Sequence, residues 1–145
     1  TLKYHYTNIA KSNWKKLGRD DLELTKRVVK MFMYNCRCVL TWMVINEGKN
    51  PSINIFELLN QVTGLDDDII GDINTLISHY KNSCSENLDS AVIDNIKKWM
   101  EPNLEIMIYE VPKKDNSKDL KDYNKRFFDI ILPDYDDYSR WLNRD

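Results

Sequence analysis

Residues 20–46 read DDLELTKRVVKMFMYNCRCVLTWMVIN, and this stretch decides the fold. In its first half, apolar residues recur at spacings of three and four, which is the period of one face of a helix. In its second half, only Thr41 is polar between Cys38 and Ile45, and a helix that is apolar on all sides is a buried one. The sequence therefore predicts one long helix over 20–46 that begins at the surface and ends among its neighbours.

Polar residues predict where this helix ends and which side of it meets solvent. Asp20 and Glu23 have the spacing of a capping box at the first turn, and Gly48 follows the last apolar residue, where a left-handed closing residue is favoured. The apolar run is shorter than the roughly 20 residues that cross a bilayer, so no membrane span is predicted. The residues predicted to face outward are Lys26, Arg27, Lys30, Asn35 and Arg37.

The rest of the chain repeats the helical period in shorter segments, which are separated by glycine, proline and polar residues. The low counts of four Gly and four Pro favour helices over an all-β fold, because few tight turns can form. Residues 103–112 suit a helix or a strand, and we favour the helix because a lone strand has no evident partner. The further predicted helices cover residues 2–17, 50–64, 66–80, 88–102, 119–133 and 135–142.

These segments together predict an all-α fold, with six or seven helices around a long, largely buried central helix. The length of 145 residues is that of one ordinary domain, so we expect a single domain over 1–145. The arrangement is similar in outline to Bcl-2-like bundles, which wrap amphipathic helices round an apolar one, although the chain carries no sequence motif of that family. Because the chain begins at Thr1, we also expect it to be a fragment of a longer protein.

The chain carries no recognisable catalytic or cofactor motif. Cys36 and Cys38 would point to nearly opposite sides of a helix, so we predict reduced core residues rather than zinc ligands. His5 and His79 lie in no nucleophile motif, and the few glycines leave no phosphate-cradling loop. We therefore predict no metal, no cofactor and no enzymatic activity. An enzyme whose carboxylates gather from separate helices is the second alternative.

Basic residues are concentrated near the N-terminus and give the first alternative, a nucleic-acid-associated module. The net charge of −2 provides no global attraction to nucleic acid or anionic lipid. If the first two helices form a hairpin, however, their basic residues could share a face that binds phosphates. The residues of this face would be Lys11, Lys15, Lys16, Arg19, Lys26 and Lys30.

Protein binding is the leading functional hypothesis, because small helical domains without catalytic groups commonly hold a partner helix in a groove. Tyrosine and tryptophan are favoured at such interfaces, and Tyr135, Tyr138 and Trp141 lie at helical spacing in the tail. We therefore predict a non-enzymatic adaptor or regulatory domain of a virus or its host, in the cytoplasm or nucleus. Its partner would be another protein, with nucleic acid ranked second and a homo-oligomer allowed.

Overall fold

The fold is built from five helices over residues 2–84 and 87–110, which are the residues that the computed structural model describes. Strands do not occur within these two ranges, so the all-α class is confirmed there. Five helices are observed within these ranges, fewer than the six or seven that were predicted for the whole chain. The predicted helices over 119–133 and 135–142 lie outside the described residues. The five helices are α1 (Leu2–Leu17), α2 (Lys26–Asn46), α3 (Ile55–Gln61), α4 (Asp67–Lys81) and α5 (Ser90–Glu110).

Helix α2 is the centre of the structure, as its apolar sequence predicts. It contacts each of the other four helices, and fourteen of its 21 residues are buried. By length and composition α2 could cross a bilayer, but 78% of its most apolar window is buried inside the fold. A core helix that is covered by its neighbours can be as long and as apolar as a membrane-spanning one. The hydrophobicity of α2 is therefore accounted for by core packing.

The start of α2 differs from the prediction. The helix begins at Lys26, and its N-cap is Thr25, whose hydroxyl accepts the Val28 N–H at 3.2 Å. The proposed capping box at Asp20 does not form, because residues 18–25 connect α1 to α2 without being helical. Leu22 and Leu24 still pack against the core from this connection, which explains why their apolar character resembled the first turn of the helix.

Helices α1 and α2 form an antiparallel hairpin that is fixed by a buried amide pair. Asn13 Nδ2 donates to Asn35 Oδ1 at 3.0 Å, and Asn35 Nδ2 donates to the Ala10 carbonyl at 3.1 Å. At the other end of the hairpin, the Lys3 ammonium lies 5.9 Å from the centre of a Trp42 ring. Early residues of α1 therefore meet late residues of α2, which is the antiparallel arrangement.

The predicted outward positions of Asn35 and Arg37 are wrong, since both side chains have no exposed surface. Asn35 is satisfied by the hairpin contacts just described. Arg37 Nη1 donates to the Ser52 carbonyl at 2.9 Å, so it ties α2 to the segment that precedes α3. Buried polar groups need such partners because loss of water is costly. Periodicity alone could not separate these residues from a solvent-facing stripe.

Helices α3 and α4 start at side-chain caps that the sequence signals only in part. Asn54 Oδ1 caps α3 through the Phe56 N–H at 2.8 Å, so α3 is shorter than the predicted 50–64. Asp66 caps α4 through the Asp68 N–H at 2.9 Å, close to the predicted start. Gly48 and Gly64 both have positive φ, at 76° and 72°, a conformation that glycine adopts without steric cost.

Helix α5 continues through Pro102, where a helix end was predicted. Proline removes a backbone N–H and its ring crowds the carbonyl four residues earlier. The side chain of Asn103 compensates in part, because its Nδ2 donates to the Trp99 carbonyl at 2.7 Å. Residues 103–110 are therefore helical, as favoured from the sequence, but they belong to α5 rather than to a helix of their own.

Candidate nucleic-acid interface

The six basic residues predicted for a nucleic-acid face lie on α1, on the 18–25 connection and on α2. Because α1 and α2 are antiparallel, the end of α1 and the start of α2 lie at the same end of the hairpin. This end carries Lys15, Lys16, Arg19, Lys26 and Lys30, and the 18–25 connection also places Asp20, Asp21 and Glu23 there. The sixth residue, Lys11, is exposed about one turn farther along α1.

Two of these lysines converge on one aromatic ring. The Lys26 and Lys30 ammonium groups lie 5.5 Å and 5.6 Å from the centre of the Tyr80 ring. Their spacing of four residues puts both on one side of α2, and α4 presents Tyr80 to that side. The distances are within the range of cation–π attraction, which is about 6 Å from the ring centre.

A second ring and a third lysine form another such pair, and its lysine is next to Tyr80 in sequence. Lys81 follows Tyr80 at the end of α4, and its ammonium lies 4.9 Å from the centre of the Phe56 ring on α3. The Phe56 side chain is 41% exposed, which is high for a phenylalanine and leaves part of it open to solvent. We call the group of Lys26, Lys30, Phe56, Tyr80 and Lys81 the cationic–aromatic patch.

The charges at the start of α2 disfavour the helix itself, and the contacts with the Tyr80 ring offset part of that cost. The first turn of α2 contains Lys26 and Arg27 and no acidic residue, although the positive end of a helix dipole favours acidic side chains. Like charges four residues apart, such as Lys26 and Lys30, also destabilise a helix, by about 0.2–0.5 kcal/mol. Each effect is small, but both raise the positive potential at one place. A partner that carries negative charge would benefit from it.

Basic residues are also concentrated in the N-terminal part of the sequence. Ten of the 21 basic residues, but only four of the 23 acidic residues, lie in residues 1–49. The overall charge of −2 therefore hides a basic N-terminal third and an acidic remainder. A strand of nucleic acid would be attracted to the hairpin rather than to the molecule as a whole.

The sequence indicated the lysines of the patch on α2 but not the residues that complete it. Tyr80 appeared as the last apolar residue of α4, and Lys81 as the start of a loop. In the predicted helix 50–64 the inward apolar positions are Ile55, Leu58, Leu59 and Val62, which leaves Phe56 on the outer face. This position was the sequence signal that Phe56 could belong to a binding surface. An aromatic residue on the outer face of a short helix stands out once the inward face is assigned.

The two cysteines of α2 lie in the hydrophobic core. Cys36 and Cys38 are buried free thiols, and burial raises the pKa of the Cys36 thiol to about 12. Burial also raises the pKa of the Cys38 thiol. Over residues 2–84 and 87–110, no three His, Cys, Asp or Glu side chains are grouped so that they could hold a metal ion.

The tail residues proposed for partner binding cannot be compared with the structure. Tyr135, Tyr138 and Trp141 lie outside the described residues. Their role in binding a partner stays a prediction.

A basic surface interleaved with aromatic rings is typical of proteins that bind single-stranded nucleic acid, because the lysines attract phosphates and the rings stack on bases. Comparison with protein families also points to nucleic acid. The chain belongs to the RlaP family, described as an RNA repair pathway DNA polymerase beta family, whose model matches residues 1–129. No curated protein and no solved structure matches the chain, so the outline resemblance to Bcl-2-like bundles gains no support.

The family match corrects the leading functional hypothesis. An RNA repair family with a polymerase in its description points to work on nucleic acid, so the prediction of a protein-binding adaptor is wrong. The first alternative, a nucleic-acid-associated module, agrees better with the family. The description also points to an enzymatic activity, against the prediction that the protein is not an enzyme.

The metal chemistry that a polymerase family implies does not fit the described residues. Polymerases use metal ions, usually held by carboxylates, to activate and stabilise the oxygens of a phosphoryl transfer. Such a ligand group is missing from residues 2–84 and 87–110. No chemical step is therefore assigned to these residues.

Proposed function

We propose that this helical region binds the RNA strand on which an RNA-repair protein of the polymerase beta class acts. The lysines of the cationic–aromatic patch hold the phosphates, and its rings stack against bases. The observation that carries the proposal is the convergence of Lys26 and Lys30 on Tyr80, at 5.5 Å and 5.6 Å, with Lys81 and Phe56 beside them. The family description supports RNA as the nucleic acid.

The separate roles of the lysines and the rings explain why positive charge and aromatic surface occur together. Lysines alone would bind any polyanion, including duplexes, through counterion release. Bases of a single strand are free to stack on side chains, and each stacked base contributes about 1–3 kcal/mol by alanine substitution. The partly exposed Phe56 ring therefore gives the patch a preference for unpaired strands. Function inside the cell follows from this proposal, while cytoplasm and nucleus both stay open as predictions.

The test compares the salt dependence of RNA binding between the natural chain and the triple variant K26Q/K30Q/K81Q. Each lost contact to a single strand should reduce the slope of log affinity against log salt by about 0.7, hence about 2 for three contacts. Between 50 and 200 mM salt, the natural chain should then lose about 20-fold more affinity than the variant. Binding of a labelled single-stranded RNA can be followed by fluorescence anisotropy.

Two further variants separate charge from stacking. The control K98Q removes an exposed lysine of α5, and it should leave the slope unchanged. F56A should weaken binding by about 1–3 kcal/mol without changing the slope, whereas I106A, at a side chain of similar exposure on α5, should not. Equal slopes for the natural chain and the triple variant would refute the proposal, provided that circular dichroism gives equal helix content.

A further inference from the structure

A cleft lies at the opposite end of the α2–α4 pair from the cationic–aromatic patch. Its volume is about 470 Å³, within the range of roughly 300–1,000 Å³ that is usual for small-ligand sites. It is bounded by the end of α2, the segment before α4 and the middle of α5. The hydrogen-bonded side chains on its wall come from segments that are far apart in sequence.

Two indole rings line this cleft. Trp42 of α2 contributes to the lining but is buried, at 7% exposure, and the Lys3 ammonium lies over its ring. Trp99 of α5 is half-buried and forms a wall. Tryptophan faces are the surfaces on which planar heterocycles stack in single-strand recognition.

The polar groups of the cleft are rich in hydrogen-bond acceptors. Asn103 donates its Nδ2 to the Trp99 carbonyl at 2.7 Å, and its amide oxygen can accept a hydrogen bond from a ligand. Asp66 accepts the Asp68 N–H with Oδ1, and its second carboxylate oxygen can accept another bond. Glu47 accepts the Thr63 N–H at 3.1 Å, and the hydrogen bonds from Thr63 and Lys49 lower the pKa of its carboxyl group.

These groups select the kind of ligand that the cleft can take. The Glu47 carboxylate is paired with the Lys49 ammonium at 3.1 Å, and the Asp66 carboxylate repels a phosphate, so these groups favour a neutral ring over the backbone of a nucleic acid. They accept hydrogen bonds from N–H groups, as a carboxylate does from the amino group of cytosine. A flat ring that presents amino groups, and carries no negative charge on the ring itself, matches the indoles and the acceptors together.

We propose that this cleft binds one unpaired base of the RNA strand, with adenine, cytosine and guanine favoured over uracil because only these three carry an exocyclic amino group. The inference rests on the proposed RNA-binding function and deepens it. The patch would hold the backbone at one end of the α2–α4 pair, and the cleft would read a base at the other end.

The test uses the four neutral nucleosides as probes, because they carry no phosphate and so do not depend on the lysines of the patch. Binding of adenosine, cytidine, guanosine and uridine to the full chain can be measured by ligand-observed NMR. We expect the first three to bind at least about five-fold more tightly than uridine, which corresponds to the lower end of the discrimination of one good base contact. W99A and N46L should abolish this binding, since both residues line the cleft.

The control is N60L, which changes an exposed asparagine of α3 that does not line the cleft. It should bind nucleosides like the natural chain. If W99A disturbs folding, N46L still decides the question, because Asn46 is exposed at the end of α2. Three outcomes would overturn the proposal: absence of nucleoside binding, binding that survives both cleft variants, or equal binding of uridine. None of these would alter the salt test of the patch, so failure of the cleft and failure of the RNA-binding function can be told apart.

Discussion

The separation between the patch and the cleft predicts how RNA binding depends on strand length. Lys30 and Asn46 are 16 residues apart on α2, which corresponds to about 24 Å along the helix axis. A stacked single strand rises about 3.4 Å per nucleotide. A strand that keeps this stacked spacing therefore reaches from one site to the other at about seven nucleotides.

The expected result is a step in affinity, not a gradual rise. Stacked oligonucleotides of three to five residues are too short to hold both sites at once, so they should bind chiefly at the patch, at an affinity set by their phosphates. From about seven residues onward, the same strand can also place a base in the cleft, which adds roughly 1–3 kcal/mol for one stacked base. This corresponds to a gain of about five-fold to 150-fold. Fluorescence anisotropy at one fixed salt concentration gives the measurement, because salt changes the affinity by itself.

W99A provides the decisive comparison, because Trp99 lines the cleft and is absent from the patch. This variant should bind a four-residue strand like the natural chain but should lose the step near seven residues. I106A serves as a matched loss of apolar surface elsewhere on α5. The reasoning fails if affinity rises smoothly through seven residues, or if W99A weakens the shortest strands as much as the longer ones.

Two predictions concern the scaffold that holds these sites. A glycine-to-alanine change should alter the free energy of unfolding in opposite directions at two positions. G48A should destabilise the fold by about 1–2 kcal/mol because φ is +76° there. G71A, inside α4 with open space around it, should stabilise it by about 0.5–1 kcal/mol; urea denaturation measures both, and changes of the same sign would contradict the structure. Burial raises the pKa of the Cys36 thiol to about 12, so with rising pH the thiol of the unfolded chain ionises before that of the folded chain. The contribution of Cys36 to stability is therefore intact below about pH 8.5, and it is lost as the pH rises toward 12. C36A should therefore flatten the pH dependence of the unfolding free energy between pH 9 and 11 by about one proton, and identical slopes would show that Cys36 is not buried as described.

The fold was predictable where one physical effect dominated. The apolar period of α2 predicted a central helix because no other arrangement buries so many apolar side chains on all sides. Its start was missed because Leu22 and Leu24 are apolar without being helical. Pro102 predicted a helix end because it lacks an N–H. The sequence could not reveal that packing carries α5 onward, with help from the Asn103 amide.

The candidate site was predictable only in its local part. Lys26 and Lys30 could be placed on one helix face, because their spacing is enough to do so. Their meeting with Tyr80 depends on how α4 lies against α2, which is a contact across 50 residues. The same holds for Asn13 and Asn35, which are 22 residues apart in sequence. Such pairings follow from tertiary packing, and local periodicity carries no information about them.

The two proposed sites assign affinity and selectivity to different physical effects. Phosphate contacts position a nucleic acid without reading its sequence, and base contacts supply the sequence information. The patch has lysines around rings and suits the first task. The cleft has hydrogen-bond acceptors beside the half-buried indole of Trp99 and suits the second. If both sites act on one strand, changes in the patch should weaken binding to every sequence alike, and changes in the cleft should alter the order of preference among bases.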